Sequence, residues 1–149
     1  LPSVRMRPFN HSGPGQSDRF VLSSFAKQVA DVEKGVREPV LSVGNLDAAR
    51  DFMHVDDVIR AYEIALHGGQ PGEAYNICSG YSYVIGDALK TLTDQASVEI
   101  QIDVNSDLLR PVDVPEIRGS HDKLTDATGW KPEIPFEELL SDLLEHYRK

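Results

Sequence analysis

Cysteine occurs once, at Cys78, so the chain has no internal disulfide framework, and a lone thiol fits a reducing cytoplasm. No apolar run approaches the roughly 18 residues a membrane-spanning helix needs. The opening Leu1-Pro2-Ser3-Val4-Arg5 lacks the apolar stretch of a signal peptide, and the absence of an initiating methionine leads us to expect a fragment or a processed chain. Positive charge is scarce: 15 Lys and Arg face 24 Asp and Glu, a net charge of -9. That balance argues against nucleic-acid binding, which needs a basic face. An anionic small ligand stays possible where a few arginines override the acidic background locally. His11, His54, His67, His121 and His146 show no metal-ligand spacing and have no cysteine partners, so no zinc site is expected.

What remains is a chain of 149 residues, long enough for one compact domain with a real core. Val4 to Phe9 alternates like a short strand and runs into a Gly/Pro loop, residues 10–16. Phe20 to Lys34 carries apolar residues at three- and four-residue steps, which predicts a helix, with Gly35 as its stop. Val40 to Val43 reads as a small strand. Asp56 to His67 reads as a second helix, N-capped by Asp56 or Asp57, with Val58, Ile59, Ala61, Tyr62, Ala65 and Leu66 as its apolar side. Ala74 to Cys78 suits a strand buried on both faces, and Cys78 there is expected to be an inert core residue. A helix over 85–95, a strand over 98–104, a short helix over 122–128 and a closing amphipathic helix over 136–147 follow, the last with Leu139, Leu140, Leu143 and Leu144 as its seam. Trp130 is expected to anchor that last helix. Alternating helices and strands without repeats or a long linker imply a single α/β or α+β unit.

Three segments carry groups suited to ligand chemistry. Asn10 stands where a strand meets its loop, the end at which open α/β sheets bind ligands, and offers both a donor and an acceptor. A turn that merely suits asparagine explains it equally well. Arg50 lies in a polar loop ahead of a helix and could fork onto a phosphate, while Asp51 would oppose one unless it orients the arginine. Spacing alone favours a surface Arg–Asp pair. In Leu109-Arg110-Pro111-Val112-Asp113-Val114-Pro115, two prolines hold an extended segment that would put Arg110 and Asp113 on one side. Composition alone favours a rigid surface crossing with solvated charges.

The order of these segments is more specific than any one of them. RPFNHSGPGQ, FVLSSFAKQ, VGNLDAARDFMHVDDVIRAY, GEAYNICSG, LLRPVDVP and GWKPEIPFEELLSDLL follow one another as in the distal half of the extended short-chain dehydrogenases that act on nucleotide-diphosphate sugars. The chain resembles most narrowly the GDP-4-keto-6-deoxy-D-mannose reductases, relatives of GDP-mannose 4,6-dehydratase, over Met6 to Tyr147. The reductases follow Asn-His with x-Gly-Pro-Gly-Gln, as here, where the dehydratases usually have Glu-Ser-Pro-Arg-Arg.

The resemblance implies an α/β fold: a substrate-binding subdomain over 1–149 plus a few elements of a larger Rossmann sheet. It implies that Asn10 contacts the diphosphate or hexose and that Arg50 binds the diphosphate–guanosine portion. Arg110 and Asp113 would clamp the nucleotide, Val21 and Lys27 would flank the base pocket, and Asn45 would lie near the guanosine. Pro8 and Phe9 would lie near the nicotinamide of NAD or NADP in the complete enzyme. The family's Gly-rich dinucleotide turn and its Tyr-x-x-x-Lys pair have no counterpart in these residues: Tyr83 to Lys90 has the wrong spacing. No catalytic residue is therefore assigned, and no cofactor is expected to be held by this chain alone. The expected partners are a GDP-sugar and either further copies of the chain or a Rossmann half that covers its open strands, with neither nucleic acid nor membrane.

Overall fold

A computed structural model describes residues 2–108 and 114–149. The chain runs β1 (Arg5–Pro8), β2 (Asn10–Ser12), α1 (Val21–Glu33), β3 (Val40–Val43), β4 (Ala49–Arg50), β5 (Phe52–His54), α2 (Val55–Gly68), β6 (Ala74–Ile77), β7 (Tyr83–Val84), α3 (Ile85–Asp94), β8 (Gln101–Val104), β9 (Glu116–Ile117), α4 (Asp122–Thr128) and α5 (Phe136–Arg148), with a 3-10 turn at Ser106–Leu108. The architecture is α/β, as expected.

One core lies among α1, α3, α5 and β3. The apolar stripe of α1 (Leu22, Phe25, Ala26, Val29 and Ala30) meets Leu139, Leu140, Leu143 and Leu144 of α5, and all four leucines are fully buried. Each such leucine contributes about 1.5–3 kcal/mol through burial, which makes this helix pair the main source of stability. Beyond the end of α1, Gly35 takes the left-handed conformation (φ 69°) that closes a helix and that a side chain disfavours. Arg148 of α5 then grips Glu33 of α1 at 2.8 Å, holding the Glu33 carboxyl below the usual carboxylate range through that hydrogen bond.

A second core joins Met53, Val58, Ala61, Tyr75, Ile77, Leu124 and Trp130. Here Trp130 departs from expectation: it packs among α2, α4 and β6, not against the α5 leucines, and its indole N–H donates to the Asp57 carbonyl. The tryptophan needs a buried acceptor for that N–H, and the first turn of α2 supplies one.

Four further readings are corrected. Residues 10–12 are strand β2, not loop, because the extended chain changes partner at Phe9: β1 runs parallel to β6 (Arg5 opposite Ala74) and β2 parallel to β5 (Asn10 opposite Phe52). The polar stretch before α2 contains β4 and β5, and β4 lies between β7 and β9. The N-cap of α2 is His54, whose Nδ1 accepts the Asp56 N–H at 3.1 Å. Asp57 is instead fully buried, accepting the backbone N–H groups of Glu133 and Ile134 and pairing with Arg60. Finally, only half of the apolar side of α2 is buried; Ile59, Tyr62 and Leu66 are exposed.

Candidate nucleotide-sugar site

A cavity of about 590 Å³ opens between the strand ends, the start of α1 and the loop after β3. Its volume is within the usual range for small-molecule sites. Phe9 to Ser12, Phe52 and Arg50 form one wall; Arg19 to Phe25 of the α1 entry form another; Val43, Gly44, Asn45 and Leu108 close a third. No carboxylate lines it among the described residues, although the chain as a whole carries 24.

The Ser12 to Gln16 loop is built as a clasp. The Gln16 side-chain oxygen accepts from the Ser12 and Ser23 hydroxyls, and its amide donates to the His11 carbonyl at 3.0 Å. The Tyr147 hydroxyl of α5 donates to the Gln16 carbonyl at 2.9 Å. Gly13 is needed because a Cβ there would meet Val55 Cγ1 at 2.6 Å. The Gly-Pro-Gly-Gln stretch thus positions the cavity wall and the helix behind it.

Arg50 is held by its backbone surroundings: Nη1 donates to the Ala49 and Val114 carbonyls at 2.8 and 2.7 Å. Asp51, next in sequence, faces the other way. Its fully buried carboxylate accepts the N–H and hydroxyl of Ser79 and the N–H groups of Gly80 and Gly119, at 2.7–3.2 Å. Neutral donors, not the neighbouring arginine, satisfy the Asp51 charge. The bonds tie the segment that returns at Val114–Gly119 beside β4, where it meets Arg50. Cys78 lies fully buried nearby, its thiol pushed up to about 12 by burial and then by the Asp51 charge, and is inert at neutral pH.

Of the residues expected from sequence, Phe9, Asn10, Val21, Asn45 and Arg50 line the cavity together. Pro8 lies outside it, in an open depression of about 320 Å³ shared with Phe9, Asn10 and Ile117. Lys27 is not brought to the cavity; it pairs with Asp31 one turn along α1 at 2.7 Å, and that hydrogen bond raises its pKa. Arg110 and Asp113 lie outside the described residues. Sequence reasoning missed Gln16 as a clasp, Asp51 as a hub and Arg19 as a lining residue. Only Gln16 had a local signal, its place at the end of the loop motif.

The profile of the GDP-mannose 4,6 dehydratase family matches residues 1–143. The chain belongs to this family. It is 43% identical to the GDP-6-deoxy-D-mannose reductase of Pseudomonas aeruginosa over 141 residues, which cover 95% of this chain and 46% of that protein. Among solved structures, RMD from Pseudomonas aeruginosa complexed with NADPH matches with a TM-score of 0.91 at 42% identity, over 97% of this chain and 48% of that one. UDP-glucose 4-epimerase from Thermotoga maritima, solved with UDP-glucose, matches with a TM-score of 0.83 at 25% identity, over 99% of this chain and 46% of that one. The chain therefore spans a little under half the length of these relatives, and its fold is the C-terminal half of the extended short-chain dehydrogenase fold.

Proposed function

We propose that this chain is the substrate-binding portion of an NAD(P)-dependent nucleotide-sugar oxidoreductase, one that reduces the C4 ketone of GDP-4-keto-6-deoxy-D-mannose to give GDP-D-rhamnose. The observation that carries the reading is the cavity: Asn10 at a strand end and a backbone-anchored Arg50 open into the same space, free of carboxylates among the described residues. A fixed guanidinium suits a diphosphate, because its fork meets two phosphate oxygens without first paying to find its geometry. An asparagine at the strand end suits the hydroxyls of a hexose, donating and accepting at once. Asn45, whose side-chain oxygen accepts the Asp47 N–H at 2.9 Å, and Val21 line the part of the cavity assigned to the nucleoside. Likeness to a GDP-6-deoxy-D-mannose reductase at 43% identity, against 23–27% for dehydratases, favours reduction over dehydration.

The depression lined by Pro8 and Phe9 adjoins the cavity through Phe9 and Asn10, and gives a nicotinamide ring an apolar surface beside the sugar. Its size and lining fit the edge of that cofactor and offer nothing for its phosphates. When bound, the nicotinamide supplies the hydride; the residues of this chain bind the sugar nucleotide and hold its C4 towards that depression. The domain assignment proposed is a single nucleotide-sugar-binding unit over 1–149, with Lys27 withdrawn from the site and Arg110 and Asp113 retained as clamp residues.

Calorimetric titration of the chain with GDP, UDP and NADPH tests this. GDP should bind in preference to UDP, and Arg50→Ala should weaken it by about 1.5–3 kcal/mol, the worth of a charged hydrogen bond. A folded chain that binds none of the three would sink the assignment.

A further inference from the structure

Arg19 lines the same cavity as Arg50 but comes from a different wall, the turn that enters α1. That turn is fixed: the Phe20 N–H donates to the Ser17 carbonyl at 3.2 Å, and Gln16 just before it is held by five hydrogen bonds. The backbone N–H of Arg19 is engaged by Ser17 Oγ at 3.3 Å, while its guanidinium makes no hydrogen bond or ion pair with any described residue. Arg60 and Arg148, by contrast, each grip two carboxylates. The adjacent Asp18 forms no ion pair with Arg19. Its charge acts on Lys27 and Tyr147, where it adds to the larger effects of the Asp31 hydrogen bond and of burial. In a chain of net charge -9, an uncommitted guanidinium facing a cavity without lining carboxylates is chemically complementary to an anion.

We propose that Arg19 is a second phosphate-binding residue of this cavity, gripping the diphosphate of the sugar nucleotide together with Arg50. The proposal rests on reading the cavity as a nucleoside-diphosphate site. Arg50 is the anchored member, with its backbone bonds already made, and Arg19 is the mobile one that closes onto the ligand from the α1 side.

The test compares GDP with uncharged guanosine on the wild-type chain and on the Arg19→Ala, Arg19→Lys and Arg50→Ala variants. Arg19→Ala should lower GDP affinity about tenfold, leave guanosine affinity unchanged and leave Tm unchanged, since the guanidinium makes no hydrogen bond or ion pair with any described residue; Arg19→Lys should restore part of the loss. GDP binding by Arg19→Ala at wild-type strength, with Arg50→Ala impaired, would overturn the role of Arg19 and leave the nucleotide site standing. Equal losses for guanosine and GDP would assign Arg19 to structure and overturn the proposal too. A wild-type chain that binds no GDP would remove the nucleotide reading, and Arg19 with it.

Discussion

Asp51 illustrates how much of this molecule hangs on single polar groups. Its carboxylate is fully buried and collects four hydrogen bonds from three residues, 28, 29 and 68 positions further along the chain. Removing it would leave three backbone N–H groups, those of Ser79, Gly80 and Gly119, without their acceptor around a fully buried position. Such losses are far costlier than the net worth of the bonds. Asp51→Ala should therefore destabilise the chain by about 3–5 kcal/mol, read as a lower midpoint in urea unfolding. Asp51→Asn keeps the shape but turns an amide donor towards the N–H groups of Gly80 and Gly119, and should cost about 1–3 kcal/mol. A midpoint unchanged in both variants would mean that the return segment at Val114–Gly119 is held by other contacts.

Among the elements, α1 and α5 carry the core and are joined at their ends by Glu33 and Arg148. Because the Glu33 carboxyl is held below its ordinary value, its contribution to stability is complete above the unfolded carboxylate pKa of roughly 4.3 and fades as pH falls through the folded value. Glu33→Gln should thus lower stability at pH 7 yet lose less of it than the wild type between pH 5 and pH 3, measured by urea unfolding at each pH. Parallel curves for the two proteins would show that the pair contributes nothing. These helices were also the elements most legible in the sequence. Apolar residues recur every three or four positions across α1 and α5, and the seam Leu139, Leu140, Leu143 and Leu144 is buried as the pattern required. The two- and three-residue strands β4, β5, β7 and β9 were not legible, since so few residues establish no period. Their pairing is set by partners distant in sequence, as β4 with β9. The same division runs through the site. Asn10, Val21, Asn45 and Arg50 come together at one cavity, while Lys27 was misplaced because helical spacing puts Asp31 within its reach one turn away. The roles of Asp51 and Trp130 depend on groups tens of residues away and left no local trace.

At the scale of the whole molecule, charge and exposed apolar surface oppose each other. The chain carries a net charge of -9 and a sequence pI near 4.9, so copies repel at neutral pH and cease to as pH approaches 4.9. On α2, Ile59, Tyr62 and Leu66 fall at helical spacing, and all three side chains face out, Leu66 at 82% exposure. Strand β1 has only β6 beside it among the described residues, and parallel strands usually lie inside larger sheets. Charge repulsion opposes the approach of such surfaces. Light scattering should therefore rise as the pH is lowered from 7 to 5, and the rise should be smaller in a Tyr62→Ser, Leu66→Ser double variant, which leaves the net charge untouched. At pH 5 the Glu33 carboxylate, held below its ordinary value by Arg148, keeps its charge, so this link between α1 and α5 is retained there. Circular dichroism at pH 5 separates association of folded chains from acid unfolding. A helical signal intact at pH 5, with scattering equal in wild type and variant, would place the adhesive surface elsewhere than on α2.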